Sequence, residues 1–284
     1  MIIRRLDHPI ICIRSRERWG PEFARVLDLR PERIREGDEW GFSNLELAIG
    51  DGFLGVVEPA GEGSQLERFL AHFGEGFYGL AVDVGPLDAA ARHLDEHGVR
   101  YREAKRGAVT QLLWVGPQET HGVVYQLCPG GPASQGTNPR YLGVSEVVVA
   151  VRDMDAAVAQ YRRVFGVELV EPTQSAALGY TGARLPMPGS ALHDALVLAE
   201  PAGGDGLVAR HLAQRGEGIF QFTIAVADLP GELARLRAVG VEPEVDATGA
   251  RPARVWVPPA LLAGARIELR AHDGAPTEEQ PHER

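Results

Sequence analysis

The chain has 284 residues, of which 44% are hydrophobic and 24% charged, with a formal net charge of −10. That length suggests two domains with cores large enough to need no staples, and the ordinary composition excludes bulk disorder. The acidic balance argues against nucleic-acid binding, which needs a concentrated basic face. No apolar run approaches the roughly 18–20 residues of a membrane span, and MIIRRLDHPIICIR at the start has no signal-peptide h-region, so a cytoplasmic, non-membrane protein is expected. Cys12 and Cys128, each within an apolar run, read as buried thiols in a reducing compartment rather than a disulfide framework.

Along the chain the same pattern returns. HPIICIRSRERWGPEFARVLDLRPERI from His8 is the loosest copy, and its helix lacks a Gly-Val ending. GLAVDVGPLDAAARHLDEHGVRYRE from Gly79 gives a strand, then a helix with Leu87, Ala90, Ala91 and Leu94 on one face, closed by Gly98. VVVAVRDMDAAVAQYRRVFGVELVE from Val147 repeats it. Val147 to Val151 is β-branched, Asp153 is a good N-cap, and Met154, Ala157, Val158, Tyr161 and Phe165 share a face ending at Gly166. FTIAVADLPGELARLRAVGVEPEV from Phe222 is the last copy, with Leu229, Leu233 and Leu236 closed by Gly240. Further strands are expected at Gln111–Val115 with Val123–Cys128, and at Arg254–Val257 with Ala265–Arg270. Four βαβββ units result, an α+β fold.

Turn-rich stretches divide the chain. PGGPASQGTNPR, near the midpoint, reads as a linker, Ala60–Ser64 and Ala202–Gly206 as loops within each half, and the polar tail as flexible. The expected division is 1–130, a linker at 131–140, 141–272, and a flexible tail at 273–284.

The stretches LDHPIICIR, GEGFYGLAVDV with THGVVYQLCP downstream, and GEGIFQFTIAVADL with ARIELRA downstream resemble the vicinal oxygen chelate superfamily. This superfamily includes glyoxalase I, methylmalonyl-CoA epimerase, extradiol dioxygenases and bleomycin-type resistance proteins. The resemblance covers roughly Arg4 to Ala271. It implies that the modules pair into two cup-shaped, mostly antiparallel half-barrel domains, each with four inward positions at its base that can hold a divalent ion. Those positions correspond in the N-terminal half to His8, Gly55, Gly79 and Gln126. Two are glycines, so this site is degenerate and the N-terminal cup is expected to be metal-free. In the C-terminal half they correspond to Glu146, Val197, Gln221 and Glu268, a set of oxygen donors that favours Mg²⁺, Mn²⁺ or Ca²⁺ over Fe²⁺ or Zn²⁺. His193, four residues before Val197, could add a nitrogen after a register shift.

Each residue has a plainer reading. Glu146 among buried strand residues is either functional or a paired structural carboxylate, because an uncompensated buried charge is costly. Glu268 lies between Arg266 and Arg270 on one strand face, which makes either a catalytic group or a local ion-pair ladder. The two arginines could instead anchor an anionic substrate, and Trp114, Tyr78 and Tyr125 either line a ligand hollow or pack in the core. Gly55 and Gly79 leave space for a ligand or mark bulges, and His121 is assigned to a turn.

Three functions remain open. The first is a lyase or isomerase acting on a small carbonyl or carboxylate metabolite in the C-terminal cup, with Glu146 or Glu268 as metal ligand, base or both. The second is a ring-cleaving dioxygenase with altered iron ligands. The third is a metal-free binding or resistance protein that sequesters a small molecule. All three imply a small-molecule ligand, and either a monomer or a homodimer.

Overall fold

Each quarter of the chain follows one path: a strand, a helix packed back across it, then three more strands. The computed structural model describes residues 1–29, 31–35, 41–50, 52–106, 109–130, 139–189, 192, 194–246 and 253–272. The first unit comprises β1 (Arg5–Cys12), α1 (Arg16–Leu27), β2 (Pro31–Arg35), β3 (Phe42–Ile49) and β4 (Gly52–Pro59), followed by a connecting helix α2 (Gln65–Phe73). The second comprises β5 (Gly76–Asp83), α3 (Leu87–Glu96), β6 (Tyr101–Arg106), β7 (Val109–Val115) and β8 (Val124–Cys128). The third has β9 (Tyr141–Ala150), α4 (Met154–Phe165), β10 (Glu171–Ser175), β11 (Tyr180–Pro186) and β12 (Ala195–Pro201), then a connecting helix α5 (Leu207–Arg215). The fourth has β13 (Gly218–Val226), α6 (Leu229–Ala238), β14 (Glu244–Asp246), β15 (Arg254–Val257) and β16 (Ile267–Ala271).

Two eight-stranded sheets result, ordered β2-β3-β4-β1-β5-β8-β7-β6 and β10-β11-β12-β9-β13-β16-β15-β14. In each, the leading strands of the paired units run antiparallel at the centre, and each lies parallel to the last strand of its own unit. This is the cup architecture implied by the family resemblance. Residues 60–64 and 202–206 are the expected loops, but the helices that follow them, α2 and α5, were not foreseen. Positions 131–138 of the expected linker and the tail at 273–284 lie outside the described residues.

Local signals explain the helix ends. The Asp153 side chain accepts a bond from the Ala156 amide at 2.9 Å, and Gly166 closes α4 at φ 65°. In α1, which has no closing glycine, Asp28 takes the left-handed conformation at φ 51°. Aspartate is one of the few side chains that tolerate it.

Strand alternation sends one face of each sheet into its cup and the other into a core that both halves share. Ile11, Ile13, Leu80 and Val82 from the first sheet join Val147, Val149 and Phe222 from the second in one cluster. Tyr125 on β8 and Tyr161 on α4 meet within it, their hydroxyls 3.1 Å apart, and Phe77 packs edge-on against Phe222. The Leu6 amide donates to Asp194 Oδ2 at 2.8 Å, a further tie across the halves. Among the described residues no helix is long and apolar enough to cross a membrane. Replacing Asp153 with alanine should lower unfolding stability by about 1 kcal/mol, measured by urea denaturation, through loss of the α4 cap.

Candidate functional site

Strand register brings Glu146, Gln221 and Glu268 together as alternation requires. Glu146 sits opposite Thr223, which lies beside Glu268, while Val148 pairs with both Val197 and Gln221. The three polar side chains meet on the floor of the C-terminal cup, but they meet around an arginine. Arg270 donates through Nε to Glu268 Oε1 at 2.7 Å, and its terminal nitrogens donate to Glu146 Oε1 and Oε2 at 3.1 and 3.4 Å. Gln221 Nε2 donates to Glu268 Oε2 at 2.7 Å, and Gln221 Oε1 accepts from Trp256 Nε1 and Arg266 Nε, both at 3.1 Å. Burial works against the Arg270 charge, but the two carboxylates outweigh it and hold the guanidinium pKa above its ordinary value. Tyr180 nearby is pushed up to about 12 by burial and by the Glu146 charge.

This donor set does not fit a divalent cation. Every carboxylate oxygen of Glu146 and Glu268, and the Gln221 carbonyl oxygen, already accepts a hydrogen bond from within the cluster. A metal among them would have to expel a guanidinium from contact with its own ligands. The expectation of Mn²⁺, Mg²⁺ or Fe²⁺ held by Glu146, Gln221 and Glu268 therefore meets an ion-pair ladder instead. His193, the tentative fourth ligand, lies outside the described residues. Among the described residues no group of three or more His, Cys, Asp and Glu is placed to hold a metal ion. Arg266 and Arg270, considered as substrate anchors, are committed inside the protein. Arg266 lies over the Phe220 and Trp256 rings, and its NH2 is 3.6 Å from Glu244 Oε2.

The N-terminal cup has the opposite character. Ile10 pairs with Gly55 and Gly79, and Ala81 with both His8 and Gln126, so His8, Gly55, Gly79 and Gln126 occupy the places of Glu146, Val197, Gln221 and Glu268. Consecutive strand residues normally point to opposite faces, but a bulge between Leu6 and His8 lets both Asp7 and His8 line the cup. They border a cavity of about 170 Å³ together with Asn44, Glu46, Phe53 and Gln126. The His8 ring stacks on Phe53 at 3.7 Å, and its Nδ1 lies 3.5 Å from Asp7 Oδ2, an ion-pair distance without a well-formed hydrogen bond. Asp7 Oδ1, His8 Nδ1 and Asn44 Oδ1 are buried and take part in no hydrogen bond among the described residues. The Gln126 amide lines the cavity and bonds to no described side chain. Burial alone would raise the Asp7 carboxyl, but His8 and Arg5 outweigh it and hold it below its ordinary value of 3.8.

The two glycines have different reasons. A Cβ at Gly55 would stand 3.2 Å from His8 Cδ2 and 3.6 Å from Nε2, so its absence leaves the imidazole edge open. A Cβ at Gly79 would stand 2.5 Å from the Val124 carbonyl oxygen, so that glycine serves backbone packing. Tyr78 and Trp114 line further hollows outward from this cup, whereas Tyr125 is fully buried in the shared core. Cys12 is buried, its thiol pushed up to about 12 chiefly by burial. Cys128, expected to be buried, is only half-buried and borders the cavity. His121 is at a turn, as expected, with Nδ1 at 3.0 Å from Glu217 Oε2. The sequence reading missed Asp7, Asn44 and Glu46. A bulge leaves no trace in alternation, and β3, which carries the other two, was expected as a strand of the first unit but not placed on particular residues.

Residues 146–255 match the family model described as the Glyoxalase/Bleomycin resistance protein/Dioxygenase superfamily. A triple mutant of 4-hydroxymandelate synthase from Streptomyces coelicolor shares the fold, with 14% identity and a TM-score of 0.76 over 98% of this chain and 95% of that one. Methylmalonyl-CoA epimerase from Mycobacterium tuberculosis is 30% identical, with a TM-score of 0.42 over 49% of this chain and 92% of its own. A variant of the Streptomyces coelicolor methylmalonyl-CoA epimerase, solved with 2-nitronate-propionyl-CoA, is 25% identical with a TM-score of 0.41, covering 46% of this chain and 98% of its own. No curated protein matches the chain.

Substituting Arg270 by methionine should lower stability by on the order of 3 kcal/mol in urea denaturation, because two carboxylates lose their buried cation. Millimolar Mn²⁺ should leave the melting temperature of the wild type unchanged. Because its folded pKa is depressed, the Asp7 contribution is complete above 3.8 and is lost as pH falls through the lower folded value. The stability gap between wild type and Asp7→Asn at neutral pH should close over that acid range.

Proposed function

The chain belongs to the glyoxalase, bleomycin resistance protein and dioxygenase superfamily, and from that premise we propose that it is a metal-independent isomerase or lyase working in its N-terminal cup. Its substrate is a small organic carbonyl or carboxylate compound. The observation that carries this reading is the contrast between the cups. The C-terminal carboxylates and Gln221 are engaged around Arg270, where only Thr223 Oγ1 and one Arg266 nitrogen lack a hydrogen bond, while the N-terminal cup leaves Asp7, His8 and Asn44 atoms unpaired among the described residues, beside open space. Unsatisfied buried polar atoms are costly, and a folded protein retains them where a ligand completes them.

The chemistry follows from the groups present. His8 takes a proton through Nε2 from the carbon next to the carbonyl, and the released electron pair moves onto the carbonyl oxygen. Asp7, beside Nδ1, stabilises the imidazolium that forms. The Gln126 amide, with no side-chain partner among the described residues, donates a hydrogen bond to the developing oxyanion. Return of the proton to the other face or another carbon gives an isomerase. Departure of a group from the neighbouring carbon gives a lyase. The metal-assisted scheme in the C-terminal cup loses support because its carboxylates are engaged by Arg270. The iron-dependent ring-cleavage scheme needs two histidines and a carboxylate, and among the described residues His8 is the one histidine bordering the N-terminal cavity.

The test is deuterium exchange next to the carbonyl across a panel of small keto acids and dicarboxylates in D₂O. Wild type should catalyse exchange with one of them, and His8→Asn should slow it about 10²–10⁴-fold. Gly55→Val, which places in this cup the side chain its sister cup has at Val197, should abolish binding of the same compound. Exchange that survives His8→Asn, or that is lost in Glu268→Gln with the fold intact, would overturn the assignment. Binding without any exchange would make the protein a sequestering one.

A further inference from the structure

The N-terminal cavity does not end at its polar base. A hollow of about 300 Å³ shares Phe42 with it, and a further one of about 440 Å³ shares Gln65, Arg102 and Trp114 with the second. Strand register explains the row. His8 pairs with Ala81, Ala81 with Gln126, Gln126 with Trp114, and Trp114 with Arg102. These residues lie side by side on the cup face of β1, β5, β8, β7 and β6. With neighbouring strands about 4.8 Å apart, Arg102 stands two strand spacings, roughly 10 Å, from Gln126. Arg68 on α2 faces the same outer hollow.

The arginines at the outer end are free to bind an anion. Arg102 donates to the Gln65 side-chain oxygen at 3.2 Å and Arg68 to the Gly63 carbonyl at 2.8 Å. Neither pairs with a carboxylate of the described residues, whereas the neighbouring Arg100 holds Glu119 at 2.9 Å. In a chain with a net charge of −10, two arginines without acidic partners flanking one tryptophan are out of keeping with their surroundings. The sister half supplies the contrast. There the row runs Glu146, Thr223, Glu268, Trp256 and Glu244, and Glu244 faces Arg266 at 3.6 Å. The place of Arg102 is thus taken by an exposed acid that faces an arginine of its own half.

We propose that the ligand of the N-terminal cup carries a phosphate or carboxylate group on a planar arm. Arg68 and Arg102 bind the anion, and Trp114 packs against the arm. This rests on the cup being the ligand site and adds the class of molecule it takes: an acidic compound whose anionic group lies roughly 10 Å from the Gln126 strand position, two strand spacings away. Guanidinium groups suit either anion because they present paired donors to its oxygens. Trp114 offers a ring face for a flat arm.

The test uses phenyl phosphate, phenylacetate and neutral benzyl alcohol as probes, with affinity measured by calorimetry at low and high salt. The anionic probes should bind more tightly than the neutral one, with a preference that weakens as salt rises. The Arg68→Gln, Arg102→Gln double variant should reduce that preference at least about tenfold while leaving benzyl alcohol unchanged. Trp114→Leu should weaken all three. Phenyl phosphate ahead of phenylacetate identifies a phosphate ligand, and the reverse order a carboxylate. Equal binding of charged and neutral probes, a preference that survives the double variant, or no binding of any probe at millimolar concentration overturns the proposal. Failure of the cup reading looks different: His8→Asn would then leave deuterium exchange as in wild type while the arginine effect on probe binding persisted.

Discussion

The contact on which the division of labour depends is the Arg270 guanidinium lodged between Glu146 and Glu268. A carboxylate with no exposed side-chain surface, as Glu268 has, must be matched by a positive partner and by donors to its remaining lone pairs. Arg270, two residues along the same strand, meets that need because residues two apart share a face. Gln221, Trp256 and Arg266 complete the satisfaction. The result is a floor whose carboxylates are engaged by neighbouring side chains, although Thr223 Oγ1 and Arg266 Nη2 make no hydrogen bond among the described residues.

The N-terminal half received the same backbone with different side chains, and the physical outcome inverts. Glycine stands where Val197 is, so the imidazole of His8 is uncovered. Gln126 stands where Glu268 is and carries no charge, so no arginine is drawn to that position, and the buried Asp7 is held instead by His8 and Arg5. The bulge at the start of β1 then turns Asp7 toward the cup beside His8. Duplication thus leaves one half free to satisfy its polar groups internally while the other keeps polar atoms available.

Both cups depend on the shared core. The cup-facing residues of each sheet can stay polar or small only because the opposite faces bury a continuous apolar surface. The Tyr125–Tyr161 pair and the Phe77–Phe222 contact tie the halves within it. Strand positions near the centre of each sheet are therefore held rigidly on one side, which is where a site that must orient a small molecule gains its precision.

While the convergence of Glu146, Gln221 and Glu268 was implied by the family resemblance, the sequence by itself determined the four-unit repeat and the caps at Asp153 and Gly166, because helical and strand periodicities are local properties of the chain. It also put Arg266, Glu268 and Arg270 on one face. It could not decide whether those arginines would turn inward to the carboxylates or outward to a substrate, since that depends on what stands across the sheet from them. The bulge that admits Asp7, the placement of Asn44 and Glu46 opposite β4, and the alignment of Arg102 with Trp114 and Gln126 are matters of register between strands distant in the chain. Register is fixed by packing against the shared core and not by any one segment, so only the tertiary structure could decide which cup was closed and which was open.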